Sequence, residues 1–335
     1  MDLILILPLI VSFVSVIVFL PTWIKKMNII GFTDKDMNKL KKPKISKSGG
    51  FIAIMGFLVG LFTYIAINTF YFKTNNSMIL MLSLASVILL LTIIGFIDDL
   101  FEKKRGGLTR RIRILLFIFA AIPLIIINAG QSNVSIPFIG MVNLGLFYPL
   151  LIIPLGIVFG SSVYNSLAGY NGLEAGQGII ILSSFALICY FIGEPVLSLI
   201  CLCMVFSLIG FYIFNKYPAK TFPGNSLTFV IGGLVAGISI LGNFERIALF
   251  IFIPYIIEMF LKIRGRLKMQ SFAKPTKKGL EMPYKKIYGL EHLAIKILKK
   301  FKKEVNEKDV VCLIFGFQVL IILIAFLVFK GNIFI

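Results

Sequence analysis

Asp98 and Asp99 stand side by side at the end of an apolar run, 78–97. Carboxylates at a bilayer edge are costly to keep, so an adjacent pair marks a candidate site. Their repulsion is relieved by a bound cation or a raised pKa. Lys103, Lys104, Arg105, Arg110, Arg111 and Arg113 follow. Acids beside bases suit a phosphate carried with Mg²⁺: the acids hold metal or take a proton, and the bases neutralise phosphate oxygens. The plain alternative is an interfacial acid pair satisfied by those same bases.

Three further clusters carry polar groups. Residues 165–177 read Asn-Ser-Leu-Ala-Gly-Tyr-Asn-Gly-Leu-Glu-Ala-Gly-Gln, without a Lys or Arg. Amide oxygens such as those of Asn165 and Asn171 can ligate Mg²⁺ or bond a base or sugar, and the glycines admit a ligand close to the backbone; an ordinary Asn/Gly turn is the alternative. Residues 222–226, Phe-Pro-Gly-Asn-Ser, precede another apolar run. Asn225 or Ser226 can cap that helix, and its N-terminus can face an anion. The long segment 264–309 holds Lys268, Gln270, Lys274, Glu291 and His292. His292 is the only histidine, so neither a His-based metal site nor a Ser-His-Asp triad is supported. Glu258 and Lys262 read as an (i, i+4) ion pair rather than as catalytic groups.

These residues need positioning elements, and the composition says which. Of 335 residues, 58% are hydrophobic, which excludes an ordinary soluble domain. Apolar runs fall at about 3–24, 49–72, 78–97, 112–128, 146–164, 178–193, 195–214, 226–242, 246–263 and 310–329. The expected fold is all-α: one integral membrane domain, 1–335, of about ten transmembrane helices, with both termini extracytoplasmic. Nearly all of the 34 Lys and Arg residues lie in loops 25–48, 98–111, 215–225 and 264–309 or at their edges; the other side holds only Lys73, Arg246 and Lys330. Positive loops face the cytoplasm, which puts every polar cluster at the inner face of the cell membrane. The net charge of +19 then belongs to the anionic inner leaflet and not to nucleic acid. Loop 129–145 is a candidate external hairpin. Loop 264–309 is expected to stay cytoplasmic, with 289–303 as a basic amphipathic helix lying on the membrane. Cys189, Cys201, Cys203 and Cys312 sit in apolar runs and read as small buried residues.

The stretch 165–177 closely resembles the N-x-L-A-G-x-N-G-L-E-A-G-Q motif of archaeal and eukaryotic UDP-N-acetylglucosamine:dolichyl-phosphate N-acetylglucosamine-1-phosphotransferases (glycosyltransferase family 4). These belong to the polyprenyl-phosphate N-acetylhexosamine-1-phosphate transferase superfamily. Gly95-Phe-Ile-Asp98-Asp99 resembles the family's paired aspartates, and Phe222-Pro-Gly-Asn225-Ser226 its F-x-G-D-[ST] motif. Asp36-Met-Asn-Lys39, Gly49-Gly50 and 279–292 are similar to its first and last cytoplasmic loops.

The resemblance implies a Mg²⁺-dependent reaction, with Mn²⁺ as an alternative ion. A polyprenyl phosphate attacks the β-phosphate of UDP-N-acetylglucosamine, and UMP leaves. By position it assigns Asp98 and Asp99 to catalysis, and Asn165 and Asn225 to the metal. It assigns Asp36, Lys39, Gly49, Gly50, Arg110, Arg111, Asn171, Gly172, Leu173, Glu174, Lys268, Gln270, Lys274 and His292 to the substrates. Asn225 replaces the family's metal-binding Asp, which removes one negative charge. The last loop lacks the relatives' Arg/His-rich segment. Another UDP-N-acetylhexosamine donor, a non-catalytic polyprenyl-lipid-binding protein and a homodimer stay open at this stage. A transporter would place ionisable groups near mid-bilayer, where the runs have almost none.

Overall fold

The computed structural model describes residues 3–136 and 140–334, without the side chains of 103–105 and 133–141. Lys103, Lys104 and Arg105 of the basic stretch therefore lie outside the described side chains. Long apolar runs become helices because a helix satisfies its own backbone groups in lipid. The main ones are α1 (Leu7–Ile29), α2 (Gly50–Ala66), α3 (Met78–Arg105), α4 (Arg110–Ala120), α5 (Ile122–Ile126), α6 (Ile153–Tyr164), α7 (Leu173–Phe191), α8 (Pro195–Asn215), α9 (Gly224–Leu241), α10 (Glu245–Ile251), α11 (Ile253–Arg264), α12 (Leu290–Leu298) and α13 (Glu307–Val328). Among the described residues, seven helices are long and apolar enough to cross a membrane. The chain is a multi-pass integral membrane protein.

Two of the ten expected spans are broken rather than continuous. Proline explains each break, since it lacks the N–H that continues a helix. Pro123 follows the end of α4, and Pro254 begins α11 after α10. A third, Tyr148–Tyr164, is continuous but short, opening on a π-helical turn (Tyr148–Ile152) that runs into α6. Two boundaries also move. α3 runs on to Arg105 and stops at Gly106 in the left-handed region (φ 74°), so Asp98 and Asp99 lie within the helix and not at its end. α7 begins at Leu173, with Gly172 (φ 81°) before it, so Leu173 and Glu174 open a helix that the reading of 178–193 left in a loop.

The structure is mostly helical, as expected, and among the described residues three short antiparallel hairpins punctuate the bundle, two more than the one expected. β1 (Thr33–Lys35) pairs with β2 (Lys44–Ser46), β3 (Asn133–Ile136) with β4 (Gly140–Asn143), and β5 (Lys274–Thr276) with β6 (Gly279–Glu281). The middle one is the hairpin expected in 129–145. α12 is shorter than 289–303, and it does not offer its apolar face to lipid. Leu290, His292, Ala294 and Ile295 are buried, with the helix packed on α11 and α13.

α9 is the axis: every residue from Ser226 to Leu241 is buried. α3 and α6 pack against it. Where α6 crosses α9, Gly160 and Gly232 bring backbone against backbone. A Cβ at Gly160 would lie 3.0 Å from Gly232 C and 3.1 Å from Ala236 Cβ. Small residues let membrane helices approach this closely, and dispersion then holds them. Gly232→Val is expected to destabilise the protein by about 1–3 kcal/mol through overpacking. A melting curve in detergent that matches wild type would show that the crossing yields cheaply.

Candidate active site

The C-terminal end of α3 meets the N-terminus of α9 through Asp99. Gly224 takes a left-handed turn (φ 74°) that points the first amides of α9 at α3. Asp99 Oδ1 accepts the Asn225 N–H (2.8 Å), and Oδ2 accepts the Ser226 N–H (3.4 Å) and the Ser48 hydroxyl (2.6 Å). A carboxylate here meets both the unpaired amides and the positive end of the helix dipole. Asp99 is fully buried, with Lys47 Nζ 3.9 Å from Oδ1. Lys47 also touches Glu102 and lies 3.6 Å from Asp34. Burial disfavours the Lys47 charge, but Glu102, Asp99 and Asp34 outweigh it and hold its pKa above the usual lysine value.

Asp98 faces another way. It accepts the Leu108 N–H (2.5 Å) and the Asn225 Nδ2–H (2.8 Å), with Arg113 at 3.7 Å. One aspartate thus engages the backbone of α9 while the other engages a side chain of α9 and the basic turn before α4.

Three cavities adjoin these groups. The first, about 310 Å³, is lined by Lys47, Asp99, Glu102, Asn165, Glu174 and Asn225 among others. The second, about 480 Å³, has Arg110, Arg113, Lys262 and Gln270 on its wall and no acid. Asn165, Ala168, Gly169 and Phe272 line both. The third, about 650 Å³, is a largely apolar groove between α6, α9 and α10, and it shares Ile114 and Ser162 with the second. An apolar groove therefore leads to a basic chamber, and the basic chamber to an acidic one.

Asn171 is placed differently from its expected role. Its Nδ2 donates to Asp36 (3.1 Å) and Glu307 (2.8 Å), and its own N–H donates to Glu307 (2.6 Å). Its Oδ1 accepts from Lys39 (3.2 Å) and from the Ala219 N–H (2.6 Å). Buried at 4% exposure, it ties the first loop, the start of α7, the α8–α9 loop and α13 into one hub. Asp36 and Lys39 close that hub as an ion pair (2.6 Å), with Asp36 also on the wall of the acidic cavity.

Gly49 and Gly50 approach chain rather than cavity. Their N–H groups donate to Phe222 O (2.9 Å) and Pro223 O (3.1 Å), and a Cβ at Gly49 would lie 2.7 Å from Thr221 Cγ2. Gly172 packs on Tyr212 and Lys216, and Leu173 is buried in the core. Glu174 accepts the Gly169 N–H (3.0 Å) at the acidic cavity. Arg110 reaches the basic chamber, whereas Arg111, Lys268 and Lys274 are exposed and line neither. Gln270 lines the chamber. His292 is buried behind it, its Nδ1 accepting the Tyr288 N–H (3.4 Å). Sequence reasoning assigned no role to Lys47, Thr228 or Phe272. It gave Arg113 a role only as one of the basic run after the aspartates, suited to neutralising phosphate oxygens.

The donor set can be tested against a metal. Asn165 Oδ1, already accepting from the Thr228 hydroxyl (2.8 Å), and the Asn225 amide face the acidic cavity beside Asp99 and Glu102. Among the described residues no three Asp, Glu, His or Cys side chains converge on one point. An oxygen-only wall with few carboxylates fits a hard cation that keeps its waters and rides on substrate phosphates. It does not fit zinc or a softer ion.

Fold and site thus define a polytopic membrane protein with a phosphate-suited pair of chambers at one end of its bundle. A sequence model for glycosyl transferase family 4 matches residues 79–243. A protein of Saccharolobus solfataricus, provisionally named a UDP-N-acetylglucosamine–dolichyl-phosphate N-acetylglucosaminephosphotransferase, is 36% identical over 95% of both chains. A Sulfolobus acidocaldarius protein of the same provisional name is 35% identical over 88% of this chain and 87% of its own. A phospho-N-acetylmuramoyl-pentapeptide-transferase of Staphylococcus saprophyticus is 30% identical over 76% of this chain and 80% of its own. The chain belongs to glycosyl transferase family 4 and is an enzyme of its glycosyl-1-phosphate transferase class.

Two outcomes follow from this geometry. Asn171→Ala leaves the buried Asp36 and Glu307 short of donors and is expected to cost about 3 kcal/mol of stability. Unchanged unfolding with selective loss of nucleotide binding would instead make Asn171 a ligand-contacting residue. Burial, then the nearby Lys262 charge, lowers the His292 pKa to about 4. The unfolded chain then binds the extra proton between roughly pH 6.5 and 4, so stability falls as pH drops through that window. His292→Gln should flatten this part of the stability–pH curve; an equally steep curve would show that other groups carry it.

Proposed function

We propose that the protein transfers N-acetylglucosamine-1-phosphate from UDP-N-acetylglucosamine to a polyprenyl (dolichyl) phosphate. The observation that carries the reading is the order of the cavities: an apolar groove for a lipid chain, a basic chamber for its phosphate, and an acidic, amide-lined cavity next to it at Asn165. The provisional names of the archaeal relatives support the donor and acceptor classes.

In the reaction an acceptor phosphate oxygen forms a bond to the β-phosphorus of the donor. The bond from that phosphorus to the UMP oxygen breaks, and UMP leaves with the electron pair. Arg110 and Arg113 neutralise the acceptor oxygens, which otherwise repel the donor diphosphate. Asp98, held by Asn225 and the Leu108 amide, orients the attacking phosphate or takes its proton. Asp99 positions Asn225 through the backbone of α9. Glu174 holds the 169–172 turn that walls the nucleotide side. Asn165 and Asn225, on the wall that also carries Asp99 and Glu102, would hold Mg²⁺ or Mn²⁺, which neutralises diphosphate charge when bound. Because the polyprenyl substrate is in the bilayer and the nucleotide sugar in the cytosol, the ten-span layout with this end of the bundle facing the cytoplasm belongs to the same proposal. Exposed Lys268 and Lys274 line neither chamber, so the choice of N-acetylglucosamine over another UDP-N-acetylhexosamine is supported by the provisional names of the archaeal relatives.

Purified protein in lipid, given polyprenyl phosphate, Mg²⁺ and a panel of UDP-sugars, should release UMP only when lipid and divalent ion are both present. Asn165→Ala should cut kcat by about a hundredfold, as for loss of one group in a preorganised polar site. Release of UMP without lipid would contradict the acceptor. A probe attached near residue 100 that reacts from outside the cell would contradict the orientation.

A further inference from the structure

The basic chamber contains one cation that the sequence pattern disguises. Lys262 lies one turn after Glu258 on α11 and pairs with it at 3.4 Å. That spacing reads as a closed ion pair, yet the geometry is open. Lys262 Nζ donates to Ser271 Oγ (2.5 Å), and Lys262 stands on the chamber wall with Arg110 and Arg113. Glu258 lies behind it, fully buried, and does not line the chamber. Its Oε2 is committed to the Leu290 N–H (2.6 Å), which fixes the carboxylate to the start of α12. An ammonium has three N–H donors. One is held by Ser271, Glu258 Oε1 stands at ion-pair distance without a hydrogen bond, and the ammonium lies on the chamber wall.

We propose that Lys262 holds the phosphate of the lipid acceptor, with Glu258 and Ser271 setting the position of its ammonium. This rests on the functional reading above and names the residue that reads one of its two substrates. The choice between substrates follows from charge and location. The donor diphosphate would share the oxygen-lined cavity with a divalent ion, which already neutralises it. The acceptor is a phosphate monoester that brings no cation, and its hydrocarbon chain must leave through an apolar opening. The chamber lined by Lys262, Arg110 and Arg113 opens on such a groove through Ile114 and Ser162. An ammonium there would gain a charge-assisted hydrogen bond to each acceptor it binds.

The test must separate this role from plain support of the fold. Lys262→Met alone strands the buried Glu258 carboxylate and is expected to destabilise the protein. The double variant Lys262→Met/Glu258→Gln removes both charges together, and these two act in opposite directions on the buried Glu291 nearby. It should melt close to wild type and keep the KM for the nucleotide sugar, while the KM for the lipid rises about ten- to a hundredfold, the range for one hydrogen bond to a charged group. Binding of a short-chain polyprenyl monophosphate, measured without nucleotide or divalent ion, should weaken by the same factor. Lys262→Arg should restore most of it. A stable double variant with wild-type lipid KM and lipid binding would leave Lys262 a structural residue and overturn the proposal. A rise confined to the KM for the nucleotide sugar would overturn it too, by moving the contact to the donor. If wild type releases no UMP with any lipid, the functional reading falls, and the binding measurement still decides whether Lys262 grips the phosphate.

Discussion

A buried carboxylate set against a helix N-terminus organises this end of the molecule. Asp99 has no water to solvate it, so its charge is met by the first amides of α9, by Ser48 and by Lys47. The partners belong to two parts of the chain: the start of α9 and the last residues of the first loop before α2. Satisfying one charge therefore fixes two segments relative to α3. In a low-dielectric setting a half-satisfied carboxylate is far more costly than a fully satisfied one. That asymmetry makes the junction stiff, and the stiffness holds Asn225 against Asp98 and Asn165 close to Thr228.

The chambers inherit their polarity from which helix ends surround them. The acid-lined cavity lies where α3 ends, α9 begins and the first loop folds over. The basic chamber lies beside α4 and α11, whose ends carry Arg110, Arg113 and Lys262. The groove is walled by the apolar flanks of α6 and α9, drawn together by the Gly160–Gly232 crossing. A substrate that is apolar at one end and anionic at the other is oriented by this gradient before any specific contact forms. Catalysis in such a site is chiefly positioning and charge neutralisation.

How much of this was readable in the sequence depends on the range of the interaction. The apolar runs and basic loops are local signals, so the membrane class and most helices were legible. The breaks at Pro123 and Pro254 fell inside runs whose mean apolarity hid them. The Asp98–Asp99, 165–177 and 222–226 clusters were legible as chemistry, and the structure does bring them together. Individual roles were not. Asn171 and the Gly49–Gly50 pair are polar and small for the sake of partners 48 to 173 residues away, and no local pattern reports such contacts. Lys262 was legible as a partner of Glu258, because (i, i+4) spacing is local. That its ammonium stands on the chamber wall depends on Ser271 and on how α12 seats against α11, and that is tertiary.

Under the proposed reaction, Asn225 would change the logic of a cation site without changing its shape. The family motif has an aspartate there. In this backbone such a carboxylate would face Asp98 across the distance now spanned by a 2.8 Å hydrogen bond. Two carboxylates that close repel, and a cation or a shared proton must settle them. The amide instead donates to Asp98, so the pair is settled by the protein itself. The site is then already assembled before an ion arrives, and an ion arriving must compete with that hydrogen bond and meets one negative charge fewer. Lys47, held between Asp99, Glu102 and Asp34, works in the same direction by supplying resident positive charge on the neighbouring wall. Affinity for the cation should therefore come mainly from the donor diphosphate that accompanies it, which ties metal loading to nucleotide binding instead of preceding it.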